Sequence, residues 1–269
     1  MTDAVRRVRR QWPRGLVVFA AFGAAIIAIP LLALLVRVPW SGLVDAATSD
    51  VVRDALLISL VTSLAAAVVS IVLGVPLAWV LARTDAPGRG VLRALVTLPM
   101  ILPPVVGGAA LLFAFGRLGV LGEWLEQSTG LVLPFSIWGV ILANTFVALP
   151  FLVITVEGGL VAAGTRREEA AATLGATPWH VFRRVTLPSV APAIRAGAIL
   201  AWARAFGEFG ATITFAGNLP GRTQTLPLAV FVSLDADRDA AIAISLIMVV
   251  VSFVILLTLR DRWWSGSAR

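Results

Sequence analysis

The hydrophobic pattern of the chain consists of long apolar blocks that are separated by short polar segments. Five blocks contain no charged residue, and a sixth contains only two. A helix that crosses the ~30 Å hydrocarbon core of a bilayer needs about 20 residues and satisfies its own backbone hydrogen bonds. The pattern therefore predicts six transmembrane helices, at about residues 16–36, 55–82, 94–116, 131–156, 196–218 and 240–259.

Two other interpretations of these blocks are weaker. Six apolar blocks with short polar links argue against the buried core of a soluble protein. The basic start and the first block are also typical of a secretory signal, but the block is too long, and residues 37–40 (Arg-Val-Pro-Trp) are not a small-residue cleavage site. We expect one transmembrane domain over residues 16–259, between cytoplasmic tails at 1–15 and 260–269.

The distribution of arginine predicts the orientation of the chain. There is no lysine, and 16 of the 22 basic residues lie in the two tails and in the second and fourth loops. Because cytoplasmic loops carry an excess of basic residues, both termini are predicted to be cytoplasmic. The same bias accounts for the net charge of +7, so we expect no nucleic-acid partner.

The rare residue types exclude several kinds of site. The chain has no cysteine and one histidine, His180, so disulfides and metal sites built from several Cys or His ligands are excluded. A standard phosphate-binding loop contains a lysine and cannot be built here. We therefore expect that this chain binds no cofactor, and that another subunit binds ATP if ATP drives the protein.

The fourth loop is the longest predicted cytoplasmic segment, and it contains signals for two short helices. Thr165 and Glu168 have the spacing of a capping box, so a helix should begin there, and Gly175 fits its C-terminal cap. Pro178 fits the first turn of a second short helix, which Pro188 should end. Such a loop is either an ordinary amphipathic surface segment or a docking element for another protein.

The spacing of particular residues in this loop favours the docking element. The spacing involves seven residues, namely Glu169, Ala170 and Ala171, then Gly175 after three residues, then Val185 after nine, then Leu187 and Pro188 after one. This pattern resembles the EAA motif of ABC importer permeases, with valine in place of isoleucine. It also lies before the next-to-last span, where that family has it.

The resemblance implies a fold and a role. The fold is that of a type I ABC importer permease, and residues 165–188 would form the coupling loop that docks onto an ATPase subunit. The Glu-Ala-Ala triplet would contact the ATPase, and its small side chains would permit close approach. Gly175 would supply the turn between the short helices, and the Leu-Pro pair would direct the chain back into the membrane.

The predicted fifth span contains two charged residues. Arg204 and Glu208 lie four residues apart, so they share one helix face and can form an ion pair. Because charges inside a membrane are costly, this pair marks either a transport pathway or a structural contact, and both interpretations stay open. Gly207 could permit close packing or bending, and Thr212 belongs to the same candidate pathway.

Pro103 and Pro104 interrupt the predicted third span and are followed by two glycines. They should break or kink the helix, and the kink either shapes a gate or serves packing. Together with the polar and small residues of the fifth span, they complete the set of candidate pathway or gate residues.

Two stretches indicate the substrate class by resemblance. Residues 203–212 resemble the molybdate and sulfate permeases together, and residues 214–228, which include Thr-Gln-Thr-Leu-Pro, resemble the molybdate subfamily. The resemblance implies the permease subunit of an ATP-driven importer that moves molybdate across a bacterial cytoplasmic membrane by alternating access. Tungstate and sulfate or thiosulfate are the alternative substrates.

The resemblance also implies the partners. Two copies of the chain would form the pathway within membrane lipid, two ABC ATPase subunits with ATP and Mg would dock at the coupling loops, and an extracytoplasmic binding protein would deliver the oxyanion. An ion-coupled secondary transporter is a weaker alternative, because Glu208 is the only carboxylate within the predicted spans. A membrane enzyme is weaker still, because the spans contain no cluster of catalytic side chains.

Overall fold

The computed structural model of the chain describes residues 14–264, with side chains from 15 to 257. Most of the predicted tail 1–15 and the end of the tail 260–269 lie outside the described residues. The described part of the chain forms only helices, turns and loops. The helices are α1 (Arg14–Val36), α2 (Leu43–Thr48), α3 (Asp50–Arg83), α4 (Arg89–Ile101), α5 (Pro104–Phe115), α6 (Gly122–Thr129), α7 (Ile137–Ala163), α8 (Arg166–Thr173), α9 (Pro178–Val181), α10 (Leu187–Phe206), α11 (Gly210–Phe215), α12 (Leu226–Ala236) and α13 (Arg238–Trp264).

Five helical segments are long and apolar enough to cross a membrane, and α4 and α5 make a sixth crossing if they count as one broken span. The five are α1, α3, α7, the helix that includes α9 and α10, and α13. All of them can satisfy their backbone hydrogen bonds within the segment. The predicted class, an all-α membrane protein with six apolar spans, is therefore confirmed, while the orientation of the termini stays a prediction.

The segment predicted as the third span, 94–116, consists of two helices bent by 119°. α4 ends at Ile101, and α5 begins at Pro104. Between them Leu102 and Pro103 are extended, with ψ angles of 137° and 134°. Proline lacks the backbone donor and disfavours a helical residue before it, so two successive prolines break the helix.

The predicted end of a second short helix at Pro188 is wrong, because a single helix runs from Pro178 to Phe206. A π-helical turn at Phe182–Thr186 joins α9 to α10, and the amide of Leu187 donates to the carbonyl of Phe182, five residues earlier. This wider turn accommodates the ring of Pro188, which would clash with the carbonyl four residues earlier in a regular α-helix.

The same helix differs from the predicted fifth span, 196–218, at both ends. It begins well before residue 196 and ends at Phe206, and the short helix α11 (Gly210–Phe215) follows as a separate element. The break falls at residues 207–209, so Arg204 lies in the last turn of α10 and Glu208 lies within the break. The charged part of the span is therefore the junction between two helices.

The centre of the bundle is formed by α3, α7 and α10. Small residues let the last two approach each other closely, since a Cβ on Gly197 would lie 3.2 Å from the Cα of Leu152, and one on Gly159 would clash with Ala193. α12 and α13 pack beside this core. None of the residues in the most apolar window of α1 is buried, so this helix lies at the periphery.

Candidate functional site

The coupling loop, residues 165–188, begins with α8, which starts where the capping-box spacing predicts. Its cap, however, is not the predicted one: the side chain of Thr165 accepts no hydrogen bond from the helix. Glu168 instead faces the bundle. The predicted capping box between Thr165 and Glu168 is therefore wrong, because the Glu168 carboxylate binds residues from distant parts of the chain instead.

Gly175 forms the turn after α8 with a φ of +83°. Its amide donates to the carbonyl of Ala172 at 2.9 Å, and the amide of Ala176 donates to the carbonyl of Ala171 at 3.1 Å, which closes the helix end. A side chain on Gly175 would meet no neighbouring atom, so only the backbone conformation favours glycine here. Thr177 then accepts a hydrogen bond from the amide of His180 at 3.4 Å and caps the next helix.

The first part of the motif lies on the outside of the molecule. Glu169 and Ala170 are exposed, and Ala171 is half-buried. Beside them Leu174 is 88% exposed and Trp179 is 68% exposed. We did not single out these two apolar residues from the sequence; the signal for them is a large apolar side chain in a polar loop, at the flanks of the Gly175 turn.

The last part of the motif lies against the bundle. Leu187 packs on the core formed by α3, α7 and α10, Val185 is half-buried, and Pro188 is exposed. These residues belong to the start of the long helix, whereas Glu169 lies in α8. The motif therefore divides into an exposed part and a part that fixes the loop to the bundle.

A guanidinium group holds the loop against the bundle. Arg83 at the end of α3 donates from Nε to Glu168 Oε2 at 3.0 Å, and from Nη2 to the carbonyls of Leu160 at 2.9 Å and Gly164 at 2.8 Å. Glu168 also accepts a hydrogen bond from the hydroxyl of Thr186 at 2.9 Å. No local pattern in the sequence predicts this cluster.

The second candidate region is the break between α10 and α11. Arg204 Nη1 lies 2.5 Å from Glu208 Oε2, and the side chain of Glu208 is 1% exposed. The other oxygen of Glu208 accepts a hydrogen bond from the amide of Ala211 at 2.7 Å. The predicted pair therefore forms, and Glu208 links the last turn of α10 to the first turn of α11. Gly207 is exposed, with only ordinary contacts available to a side chain.

Arg204 differs from its partner in exposure. Its side chain is 29% exposed, and one of its nitrogens is engaged by Glu208. Among residues 15–257, whose side chains the structure describes, no further acceptor lies within hydrogen-bonding distance of this guanidinium. The group therefore has free N–H donors at the break.

The two broken spans lie against each other. A Cβ on Gly210 would lie 2.8 Å from the Cβ of Pro104, and one on Gly108 would lie 2.8 Å from the carbonyl oxygen of Ala211. The start of α5 and the start of α11 are thus in close contact, and this places Pro104 near the charged break. Pro103, which precedes it, is exposed.

Thr212 faces the interior of the bundle. Its hydroxyl donates to Asn144 Oδ1 at 3.4 Å, Asn144 Nδ2 donates to Thr62 Oγ1 at 3.3 Å, and the Thr62 hydroxyl donates to the carbonyl of Ile58 at 2.7 Å. Thr62, Asn144 and Thr212 are all buried. They form a hydrogen-bonded chain across α3, α7 and α11, which satisfies polar groups that would otherwise be costly in an apolar core.

Residues 223–225, within the stretch that resembles the molybdate subfamily, form an internal structural loop, whereas residues 219–222 before them are exposed. Thr223, Gln224 and Thr225 are buried, and the carbonyl of Leu219 accepts hydrogen bonds from the amides of residues 222, 223 and 224 at 2.9–3.0 Å. The amide of Leu226 donates to Ser59 Oγ at 2.7 Å, which caps α12. These residues shape the end of the bundle and offer little surface to a ligand.

No metal-binding cluster of three His, Cys, Asp or Glu side chains is found in the described part of the chain. His180 lies exposed in the coupling loop.

Comparison with known proteins places this architecture in a family. Residues 70–263 match the family described as "Binding-protein-dependent transport system inner membrane component". The molybdenum transport system permease protein ModB of Mycobacterium tuberculosis is 48% identical over 250 residues, which cover 93% of this chain and 94% of that protein. The sulfate transport system permease protein CysT of Escherichia coli is 37% identical over 249 residues, which cover 90% of each chain.

A solved structure supports the fold independently. One chain of a bacterial ABC transporter involved in the import of the acidic polysaccharide alginate superposes with a TM-score of 0.72 at 19% identity, over 97% of this chain and 99% of that one. At this identity the likeness concerns the fold alone, and it confirms the predicted ABC importer permease fold. The chain belongs to the family of binding-protein-dependent transport system inner membrane components.

Proposed function

We propose that the chain is the non-catalytic permease subunit of an ABC importer that moves molybdate inward across the cytoplasmic membrane. The single observation that carries this proposal is the exposed first part of the EAA motif, which is held at one end of a bundle of apolar helices. Such a surface suits docking of a separate ATPase. The choice of molybdate rests on the 48% identity to a ModB protein over almost the whole of both chains.

The assembly that fits this proposal has several subunits. Two copies of the chain enclose the pathway, two ATPase subunits that bind ATP and Mg dock on Glu169, Ala170 and the exposed Trp179, and a binding protein delivers the anion from outside. The distribution of arginine supports cytoplasmic termini and a coupling loop on the ATPase side of the membrane.

The continuous helix offers a path for energy transfer. It contains 29 residues from Pro178 to Phe206, which at 1.5 Å per residue is a rod of roughly 40 Å. One end lies beside the exposed coupling surface, and the last turn at the other end carries Arg204. Closure of the ATPase subunits would move the loop, and the rod would transmit this motion to the break where α11 meets α5.

In this proposal Arg204 lines the anion pathway and Glu208 holds it in place. The free N–H donors of Arg204 can form charge-assisted hydrogen bonds to a tetrahedral oxyanion as it passes. Gly207 and the Pro103-Pro104 break provide the local backbone freedom that a gate requires. Thr212 supports the packing behind the break through the buried chain of hydrogen bonds.

Sulfate is the second candidate substrate, because the chain is also 37% identical to a CysT protein over 249 residues. Molybdate, tungstate and sulfate are all tetrahedral dianions, so the chemistry of a pathway arginine does not separate them. The binding protein is the subunit expected to select among them.

The test is uptake of radiolabelled molybdate into proteoliposomes that contain the permease, its ATPase and its binding protein. We expect uptake that requires ATP and is blocked by excess tungstate but not by excess sulfate. A matched complex with an ATPase subunit that cannot hydrolyse ATP is the control. Competition by sulfate would move the substrate to sulfate, and uptake without ATP would contradict the ABC mechanism.

A further inference from the structure

The first helix of the coupling loop, α8, is fixed to the bundle through few side chains, whereas Phe182 and Leu187 later in the loop pack on the core. α8 contains no buried residue, and Glu168 and Ala171 are its only half-buried ones. The side chain of Ala171 is a single methyl group, so it contributes little apolar contact. Glu168 is the residue of α8 whose side chain forms hydrogen bonds to the rest of the described chain.

Those contacts converge on one arginine. The side chain of Arg83 is 8% exposed and that of Glu168 is 17% exposed, so the pair is largely removed from water. The guanidinium also binds the carbonyls of Leu160 and Gly164, at the C-terminal end of α7. Carbonyls at a helix end lack partners within the helix, and an arginine satisfies them while it compensates their negative dipole.

The second branch of the cluster reaches the long helix. Thr186 is 1% exposed and lies in the π-helical turn, and its hydroxyl donates to Glu168 Oε1. Glu168 thus accepts from Arg83 on one side and from Thr186 on the other. The cluster joins the end of α3, the end of α7, α8 and the start of the continuous helix at one point.

We propose that Arg83 is the positioning residue through which α8, the exposed helix of the coupling loop, moves together with the bundle. This inference rests on the proposed function, since it assumes that the loop docks on an ATPase. Force applied to α8 passes through Glu168 to Arg83, and from there to α3 and α7, while Thr186 passes it to the long helix. A planar fork of N–H donors is needed to reach all these acceptors, so lysine cannot replace arginine fully.

The chain contains a matched control for this role. Arg93 in α4 and Glu157 in α7 also form an ion pair between helices, and Arg93 Nε donates to Glu157 Oε1 at 3.1 Å. This pair has no contact with the coupling loop among the interactions of the described residues. Its loss should weaken the packing of two helices without separating the loop from the bundle.

The experiment measures molybdate imported per ATP hydrolysed in proteoliposomes with the full complex. We expect Arg83→Gln and Glu168→Gln each to lower this ratio by about tenfold, which is a coupling loss at the upper end of those found for residues remote from both sites. Copurification of the ATPase and its basal hydrolysis should persist. The double variant should be no worse than either single one, since both remove the same link. Arg83→Lys should fall between wild type and Arg83→Gln.

Arg93→Gln should leave the ratio within about twofold of wild type, because it breaks a pair outside the link. If Arg83→Gln does not fold, Thr186→Val decides, since it deletes one hydroxyl and keeps the shape: a lowered ratio supports the inference, and a wild-type ratio overturns it. A normal ratio in folded Arg83→Gln, or an equal fall in Arg93→Gln, also overturns it. Failure of the wild-type chain to bind an ATPase would refute the proposed function itself, and the inference with it.

Discussion

Two arginine–glutamate pairs lie near the two ends of the continuous helix, and they are built in opposite ways. At the coupling end the arginine is the more buried partner, with Arg83 8% exposed, and all its contacts are internal. At the other end the glutamate is the more buried partner, with Glu208 1% exposed and Arg204 29% exposed. The donors of Arg83 join three elements of the chain, α3, α7 and α8, and Glu168 joins a fourth by accepting from Thr186, whereas the second pair leaves donors of Arg204 free.

This difference indicates that the two arginine–glutamate pairs have different roles. A buried arginine whose donors reach a carboxylate and two backbone carbonyls holds elements together. A partly exposed arginine that is held by a buried carboxylate presents a fixed positive charge to whatever passes. The coupling end is therefore suited to transmitting motion, and the break is suited to meeting an anion.

The largest effect is expected at the turn of the coupling loop. Gly175→Val should reduce uptake by up to about a hundredfold, because a β-branched residue at a φ of +83° costs about 1–3 kcal/mol and shifts the loop away from its docking conformation. The membrane fold should persist, since no neighbouring atom would touch the new side chain. The measurement is ATP-dependent uptake beside the yield of folded permease.

Gly88→Val is the matched control for this change. Gly88 has a φ of +85° and also lies in open space, but it precedes α4, outside the coupling loop. The same backbone strain should therefore leave uptake close to that of wild type. An equal loss in both variants would show that strain alone, rather than the position of the coupling surface, explains the effect.

The two pairs also show what could be predicted from the sequence. Arg204 and Glu208 are four residues apart, so helical geometry predicts their contact directly. Arg83 and Glu168 are 85 residues apart, and their contact depends on how α3 and α7 pack. Local spacing instead predicts a capping box between Glu168 and Thr165. In the structure Glu168 binds Arg83, and the capping box does not form. Motif spacing identified the coupling loop, but not the exposed Leu174 and Trp179 beside it.

The spans show the same division between local and distant causes. Hydropathy located α1 and α3 well, because the apolar length of a span is a local property. The predicted fourth span, 131–156, is displaced from α7, which runs from Ile137 to Ala163, because the apolar residues just before α7 lie in a loop. The sequence does not predict that the helix continues through Pro188, because this depends on a π-helical turn for which no local sequence pattern is known. Thr212 was grouped with the charged residues because it is near them in sequence, whereas its side chain contacts Asn144 inside the bundle.

A second prediction tests whether the charged break meets the anion. Arg204→Gln alone leaves a buried carboxylate without its partner, at a cost of about 3–5 kcal/mol, and should lower the yield of folded permease. Arg204→Gln with Glu208→Gln removes both charges and should restore the yield. Uptake by this double variant should still fall about tenfold, as expected for loss of a charge-assisted hydrogen bond to the substrate. Normal uptake by the double variant would make the pair purely structural.

A third prediction concerns the contact between the two broken spans. Gly108→Ala should lower the melting temperature by several degrees, because the new Cβ would lie 2.8 Å from the carbonyl oxygen of Ala211 and overpacking costs about 1–3 kcal/mol. Gly158→Ala in α7 is the control, since nothing lies within 4 Å of its Cβ position. Equal melting temperatures for both variants would show that α5 and α11 do not pack as closely as described here.

The smallest effect is expected at Thr212, and it tests whether this residue belongs to the core or to the pathway. Thr212→Val keeps the shape of the side chain and deletes the donor to Asn144, and hydrogen bonds between membrane helices are worth about 0.6 kcal/mol on average. A fall in melting temperature of only about 1–2 °C is expected, with uptake unchanged, because the buried hydroxyl has no access to a passing anion. Ser245→Ala, which removes a hydroxyl bonded to its own helix at Ala241, is the control for simple loss of a hydroxyl. A selective loss of uptake in Thr212→Val at unchanged stability would place Thr212 in the pathway beside Arg204. The surface that meets the anion would then extend from the break into α11, instead of ending at the break.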